Sequence, residues 1–430
     1  MLDLKFIREN PEIIKKDLER RKDTEKKEWV DELIKIDERN RDLIQLSQKL
    51  RHRRNQITEE INKLKKEGKS ITEKLEEAKE IPKKIKDIET EMHEIQKKIS
   101  FYRMRLPNTM HESVPYGMDD TENVEIKKWG TPKKFDFELK NHGDFLEESG
   151  MGDFTRASKI SGTGFYFLKG DIALMNQALI RYTIDLLIKR NYILVEPPLM
   201  MRREAYEGVT SLDDFENVMY KIDGEEVYLI ATSEHPMAAM YMNETINESE
   251  LPIKFVGYSM CFRREIGSHG VDTRGLFRTH QFNKIEQFIF CKPEDSWKLH
   301  EELLKNSEDL FKGLELPFRV VNICTGDLGI IAAKKYDLEV WMPRQNAYKE
   351  ACSCSNCTAY QATRLNIKIQ NKDGTKEYLH TLNNTAIATG RVLVAIIENY
   401  QNKDGSVTVP KALQQYMNGI KKIENPKKRG

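Results

Sequence analysis

The sequence predicts an α+β protein in two parts: an amino-terminal antiparallel coiled-coil hairpin, then a mixed domain of strands and helices. Three observations carry this expectation. Apolar residues recur at alternating spacings of three and four along two long runs between Trp29 and Tyr102. A Gly68-Lys69-Ser70 break separates those runs. Beyond Asp119 the pattern changes to shorter helices and alternating apolar strands.

At 430 residues the chain is long enough for two domains and a large core. Lys plus Arg number 70 against 69 for Asp plus Glu, a formal net charge of +1, so any nucleic-acid footprint must be local. The six cysteines, Cys261, Cys291, Cys324, Cys352, Cys354 and Cys357, do not resemble a secreted disulfide framework in a chain this long. The amino terminus, Met1-Leu-Asp-Leu-Lys-Phe, has no apolar signal core, and no segment is long enough to span a bilayer. A cytoplasmic protein without membrane contact is expected.

Taken in order, Asn10-Pro11-Glu12 reads as a helix start, with asparagine capping and proline in the first turn. The helical pattern resumes at Trp29. Leu33, Ile36, Asn40, Leu43, Ser47, Leu50, Arg54, Ile57, Ile61 and Leu64 form a heptad seam with polar interruptions. After the break, Leu75, Ala78, Ile81, Ile85, Ile88, Met92, Ile95, Ile99 and Tyr102 repeat it. Two arms of roughly 35 residues fold back as a hairpin reaching on the order of 50 Å, at about 1.5 Å per residue. Pro82 removes a backbone donor and bends the second helix near the tip. A long charged hairpin ordinarily serves as a spacer or an oligomerisation element. Here Arg51, Arg53, Arg54, Lys63, Lys65, Lys66 and Lys69 crowd toward the turn, as phosphate neutralisation requires.

Arg105 to Asp120 is rich in Pro, Gly and polar residues, giving an amino-terminal domain at 1–110, a linker at 111–122 and a second domain at 123–430. Met175 to Lys189 reads as an amphipathic helix running into Tyr192-Ile-Leu-Val-Glu-Pro-Pro198. Tyr228 to His235 reads as a strand ending in polar groups, with Thr232 and Glu234 two apart on one face. A hydroxyl and a carboxylate there suit an α-ammonium group; they equally suit a helix N-cap before Met237-Ala-Ala-Met.

Phe262 to Phe290 reads as two strands around a Gly-rich charged loop. Lys254, Phe255, Val256 and Tyr258 lie on the incoming strand; Phe277, Phe282, Ile285, Phe288 and Ile289 lie on the outgoing one. Alternation puts Arg278, His280, Phe282, Lys284 and Glu286 on one face, beside a loop bearing Arg274. Guanidinium groups for phosphates, a ring for a base and a carboxylate for an amine suit a nucleotide. Tyr336 to Pro343 reads as a further strand leading to Glu350 and Ser353. Cys352, Cys354 and Cys357 lack a second Cys-x-x-Cys, so packed thiols are expected there rather than zinc, for which His380 could be a fourth ligand. His380 to Thr385 leads into a helix from Ala386 to Tyr400, with Gly390 allowing close packing, and Pro426 to Gly430 is a basic tail.

Phe262-Arg-Arg-Glu265, Asp272-Thr-Arg-Gly275 and His280-Gln-Phe-Asn-Lys-Ile-Glu286 together resemble motif 2 of the seryl-tRNA synthetases, a class II aminoacyl-tRNA synthetase family. The resemblance extends in family order over the whole chain. It takes in the amino terminus and arm, motif 1 at Met175 to Pro198, the Thr-x-Glu strand, the Glu350 segment and motif 3 around Arg391. Ser355 to Arg364 looks like the archaeal and eukaryotic cytoplasmic members.

The resemblance implies a class II catalytic domain on an antiparallel β-sheet flanked by helices, a homodimer through motif 1, and a basic arm embracing tRNA(Ser). It implies activation of L-serine with ATP and Mg2+, no zinc, and transfer to the tRNA. Whether tRNA(Sec) is also charged stays open. Arg263 and Arg391 are the implied catalytic residues. ATP is assigned to Arg263, Arg264, Glu265, Arg274, Thr279, Phe282, Glu350, Ala351, Cys352, Ser353 and Arg391, with Phe282 stacked on the adenine and Arg391 opposite. Magnesium falls to Glu350 and Ser353. Serine is assigned to Thr232, Ser233, Glu234, Arg263, Glu286, Asn383 and Thr385. Asn384 stands where the family generally has Gly or Ala, which bears on pocket size, and Thr385 where bacterial members have serine. A ligase loading an amino acid onto a carrier protein would not need the basic arm, and a non-catalytic scaffold would not need Arg263, Glu265, Glu286 and Arg391 together.

Overall fold

The computed structural model describes residues 1–211, 218–265 and 275–424. It divides into two compact units, Leu2–Thr109 and Met110–Gly430 with Met1.

In the first unit, helix α1 (Leu4–Glu9) is capped by the Asp3 side chain, which accepts from the backbone of Lys5 and Phe6. Helix α2 (Pro11–Arg20) starts with proline at its first position. Asn10 does not cap it as expected; its Nδ2 instead donates to Phe6 O at 3.2 Å, tying it to the preceding turn. Helix α3 (Thr24–Lys66) starts five residues before Trp29, because Asp23 caps it by accepting from Lys26 N at 3.1 Å. Gly68, at φ +67°, turns the chain into α4 (Thr72–Arg105), which continues through Pro82.

Leu33, Leu43, Ser47 and Ile57 of α3 are buried, as are Ile81, Ile85, Ile88, Ile95 and Ile99 of α4. Two seam positions differ from the pattern. Arg54 is exposed while Arg53 is half-buried, because Arg53 reaches Glu77 and Glu60 at 2.8 Å each. Leu75 is exposed at the tip. Arg39–Glu91 and Arg51–Glu89, both 2.8 Å, bind the two long helices side by side. Arg51 and Arg53 are thus occupied within the arm. Arg54, Lys63, Lys65 and Lys66 form no ion pair among the described residues.

The second unit is built on eight strands: β1 (Val124–Trp129), β2 (Ile193–Val195), β3 (Ile253–Phe262), β4 (Gln281–Cys291), β5 (Phe318–Asn322), β6 (Lys334–Met342), β7 (Ala347–Thr358) and β8 (His380–Ala388). They lie in the order β1-β5-β6-β7-β8-β4-β3-β2. Every pairing is antiparallel except β2 with β3. The last of these eight strands to appear in the chain therefore lies in the middle of the sheet, between β7 and β4. Long-range pairing of this kind is invisible to local pattern.

One face packs Ile285, Ile289, Leu338, Cys352, Cys354 and Leu382 against helices Gly170–Ile188, Ser296–Gly313 and Thr389–Asn399. A smaller core on the other face joins Phe288 and Phe290 to Tyr206, Ile230, Met237 and Ala362. The cleft opens beside it.

Two spans are shorter than the alternation suggested. The strand at Tyr228 covers only Val227–Leu229. The helix expected from Ala386 to Tyr400 starts at Thr389, because Ile387 and Ala388 still pair with Ile285 and Lys284 of β4. Residues 111–118, within the expected linker, pack on the sheet. Val114 is buried with Val321 and Ile323, and Asn322 Nδ2 donates to Ser113 O at 2.8 Å. The basic tail at Pro426 to Gly430 lies outside the described residues.

Candidate active site

The β3–β4 hairpin frames the site, in register from Ile253↔Phe290 to Phe262↔Gln281. Phe282, Lys284 and Glu286 alternate onto the cleft face, while Ile285 and Ile289 enter the core beneath. The alternation does not extend backward as expected, because β4 begins only at Gln281 and Phe277 to His280 are irregular. Arg278 still reaches the cleft, its Nε 3.9 Å from Glu265 Oε2. His280 does not: its Nδ1 lies 2.8 Å from Tyr220 Oη and 2.9 Å from Arg263 O, and its ring stacks on Phe165. Arg274 and the Gly-rich loop lie outside the described residues.

Two adjoining hollows share Arg263, Lys284, Glu350 and Thr385. The larger, about 610 Å³, is lined by Thr232, Glu234, Glu286, Ser353, Cys357, Asn383 and Thr385 among others. Its floor is a continuous polar network. Glu286 is wholly buried. Its Oε2 sits 2.7 Å from Lys284 Nζ and accepts the Thr385 hydroxyl at 3.2 Å. Asn383 Nδ2 donates to Glu286 Oε1 at 3.4 Å and to Glu234 Oε2 at 2.9 Å. Gln361 Nε2 donates to Glu234 Oε1 at 3.1 Å. The Cys357 thiol donates to Asn383 Oδ1 at 3.7 Å, which turns that amide's NH2 group toward the glutamates. Burial, and then the charge of Glu286, raise the Glu234 carboxyl to about 7.

Thr232 and Glu234 both line this hollow, and Thr232 Oγ1 also accepts from Glu234 N at 3.1 Å, so the binding face and the helix start coincide. Ser233 turns away and donates to Gly257 O at 3.2 Å. His235 stands behind, its Nδ1 2.9 Å from Tyr206 Oη. Burial, with Lys284 and Arg263 nearby, lowers it to about 3. Asn384 points beneath the sheet and donates to Leu303 O at 2.7 Å and Ser307 Oγ at 2.8 Å. It therefore takes no room from the hollow.

The smaller hollow is lined by Glu265, Leu276, Phe277, Arg278, Thr279, Phe282, Ala351, Gly390 and Arg391 in addition to the shared residues. Arg263 lies over the Phe282 ring at 5.3 Å, and Arg391 over the Phe277 ring at 5.2 Å. A side chain at Gly390 would come within 2.6 Å of Leu276 O, so the close approach expected there is real. Arg391 Nη1 donates to Glu350 O at 2.8 Å and lies 3.3 Å from Glu350 Oε1. Burial opposes ionisation of Glu350, but Arg391, Lys335 and Arg263 outweigh it and hold the carboxyl below its usual range.

Glu350 and Ser353 lie three positions apart, which on a regular strand would put them on opposite faces. The β6–β7 register passes from Leu338↔Cys352 to Glu339↔Glu350, so Ala351 is an inserted bulge that brings both to one side. Cys352 is buried in the core, its thiol donating to Ala386 O at 3.3 Å. Arg264 is exposed and borders neither hollow, while its N–H donates to Val218 O at 2.9 Å. Cys354 donates to His300 O at 3.7 Å, and His380 Nδ1 lies 2.9 Å from Ser296 Oγ. Among the described residues, no group of three or more His, Cys, Asp or Glu is placed to hold a metal, and no helix is long and apolar enough to cross a membrane.

Four contributors carried no assignment from sequence: Lys284, Cys357, Gln361 and Asp337. Lys284 was visible on the Glu286 face, and its ion pair follows from alternation. Asp337 pairs with Ser353 across the β6–β7 ladder, and its buried Oδ1 has no hydrogen-bond partner among the described residues. Burial, then Glu350, raise its carboxyl to about 7 against the pull of Lys335 and Ser353.

Comparison with known proteins gives concordant matches. Residues 1–110 match the seryl-tRNA synthetase N-terminal domain family, and residues 217–400 match the tRNA synthetase class II core domain family (G, H, P, S and T). A serine–tRNA ligase of Methanocella arvoryzae is 58% identical over 98% of this chain and 99% of its own length. The crystal structure of seryl-tRNA synthetase from Pyrococcus horikoshii complexed with ATP is 48% identical, with a TM-score of 0.93 over 98% of this chain and 99% of that one. Cytoplasmic serine–tRNA ligase from Naegleria fowleri in complex with AMP is 36% identical, with a TM-score of 0.87 over 99% of each chain.

Proposed function

The chain belongs to the seryl-tRNA synthetases, and on that footing we propose that it activates L-serine with ATP and esterifies tRNA(Ser) with the product. The observation that carries the reading is Glu286, a buried carboxylate held by Lys284, Thr385 and Asn383 at the floor of a polar hollow beside Arg263. Such a site accepts a substrate hydroxyl and rejects an analogue lacking it, because its own polar groups would go unpaired. Thr232 and Glu234 take the ammonium group, Asn383 and Thr385 shape the side-chain pocket, and Arg263, which borders both hollows, bridges the serine carboxylate and the α-phosphate. Glu265 meets the adenine amine and Phe282 its ring. Thr279 and Ala351 border the nucleotide, and Arg391 takes the terminal phosphates together with Arg274.

A serine carboxylate oxygen attacks the α-phosphorus and pyrophosphate leaves. The terminal ribose hydroxyl of the tRNA then attacks the adenylate carbonyl and AMP leaves. No side-chain nucleophile is required; these residues act by positioning and by meeting charge in the transition state. Glu350 and Ser353, oxygen donors on one side of a bulged strand, fit a magnesium ion arriving with ATP, which when bound neutralises phosphate charge.

Two further parts of the reading rest on surface features. Ile193 and Leu194 on edge strand β2, with Ile188, Leu199 and Met200, are exposed apolar residues, which favours a second copy of this chain at that edge. Arg54, Lys63, Lys65 and Lys66 near the hairpin tip supply phosphate contacts for tRNA(Ser). We further read the 1–110 region as the tRNA-binding domain, 123–430 as the catalytic domain and the cytoplasm as the place of action.

ATP–pyrophosphate exchange with serine, threonine and alanine in separate reactions tests the function. Exchange should depend on serine alone. Exchange with alanine at the serine rate, or with none of the three, would refute it.

A further inference from the structure

The two glutamates of the serine pocket share one cation. Lys284 Nζ lies 2.7 Å from Glu286 Oε2, with side-chain exposures of 7% and 0%. Glu234 has no ion pair among the described residues; both its oxygens accept from neutral amides, Gln361 at 3.1 Å and Asn383 at 2.9 Å. The Asn383 NH2 group also reaches Glu286, at 3.4 Å, so the carboxylates flank a single amide.

The other groups facing Glu234 do not supply a second counter-ion. His235 on its own helix is neutral, lowered to about 3 by burial. The Cys357 thiol on β7 is pushed well above its usual range by burial and stays protonated. Arg263, following β3, donates through Nε to Ala231 O at 3.3 Å. Lys335 and Glu350 also line the hollow, where Lys335 Nζ reaches Asp327 O at 3.4 Å and Glu350 pairs with Arg391. Two carboxylates withdrawn from water with one cation between them favour retention of a proton. Burial and the Glu286 charge raise Glu234 to about 7 accordingly.

We propose that the empty pocket carries a proton on Glu234, that the α-ammonium of serine replaces it on binding, and that Lys284 is the positioning residue, its ion pair with Glu286 leaving Glu234 as the carboxyl without a counter-ion. This rests on the reading of Thr232 and Glu234 as the ammonium site. The exchange balances: a carboxylic acid and an ammonium ion become a carboxylate–ammonium pair, and one proton passes to solvent. The folded, empty pocket holds its proton below the Glu234 value and loses it above. Serine affinity is therefore expected to be about tenfold weaker at pH 6 than on the plateau above pH 8.

The test is calorimetric titration of the full chain with L-serine, run in phosphate and in Tris, whose ionisation heats differ. The buffer dependence should report about half a proton released per site at pH 7, and about 0.9 at pH 6. In Lys284→Met both glutamates lack a cation, and the release should persist to higher pH. Binding heats independent of buffer at both pH values would overturn the proton exchange. A release curve in Lys284→Met superimposable on that of the unsubstituted chain would overturn the role of Lys284. Absence of any serine binding would instead overturn the assignment of the pocket.

Discussion

Glu286→Gln separates what the buried carboxylate does for the substrate from what it does for the fold. The substitution keeps the shape and removes the charge. Lys284, 2.7 Å away and nearly without exposure, then loses its counter-ion. Breaking a buried pair by removing one partner costs roughly 3–5 kcal/mol of stability. The serine hydroxyl loses a charged acceptor, worth roughly 1.5–3 kcal/mol. At about 1.4 kcal/mol per tenfold, kcat/KM for serine should fall about ten- to 150-fold. ATP approaches from the neighbouring hollow, whose lining does not include Glu286, so its KM should hold within about twofold. Adding Lys284→Met to Glu286→Gln removes the orphaned charge, so the double variant should recover thermal stability without recovering serine activation. The assays are pyrophosphate exchange at varied serine and at varied ATP, with thermal unfolding of each variant alongside. Normal serine kcat/KM in Glu286→Gln, or an equal rise in both KM values, would refute the assignment of this face.

Two further outcomes follow from the fold. Removing Leu2–Thr109 entire should preserve serine-dependent pyrophosphate exchange and abolish charging. Each lost phosphate contact in the intact arm should lower the logarithmic salt slope of tRNA affinity by about 0.9, and equal losses in both reactions would deny the arm a tRNA-binding role. Metal analysis of the purified chain should find no stoichiometric zinc, since the thiols of Cys352, Cys354 and Cys357 go to Ala386 O, His300 O and Asn383 Oδ1; one zinc per subunit would contradict this.

The deletion is drawn at 2–109 rather than inside the arm for a reason the pattern did not reveal. Ile7, Ile14 and Leu18 of the two short helices are fully buried, and α1 and α2 contact α3. Cutting at Asp23 would expose them. Periodicity did reveal the arm, because a seam depends on local spacing alone; it failed at Arg54 and Leu75, where ion pairs at the tip rather than apolar burial set the register. Alternation likewise placed Phe282, Lys284 and Glu286 together, and it misplaced His280, which precedes the strand. The pairing of Glu350 with Ser353 needed a bulge at Ala351, and bulges leave no signature in residue spacing. The position of β8 between β7 and β4, which brings Asn383 and Thr385 to Glu286, is a matter of topology, accessible only through the resemblance. That resemblance made the size of Asn384 a question for the pocket; alternation along β8 points it the other way, under the sheet.

The most direct measurement is the crystal structure of the full chain with a non-hydrolysable seryl-adenylate analogue. The account predicts the serine hydroxyl within hydrogen-bond distance of Glu286 and Thr385, and the ammonium between Thr232 and Glu234. It predicts the acyl–phosphate linkage against Arg263 and the adenine on Phe282. An analogue seated with its amino-acid moiety away from Glu286, or its adenine away from the hollow lined by Glu265 and Phe282, would contradict the account at its centre.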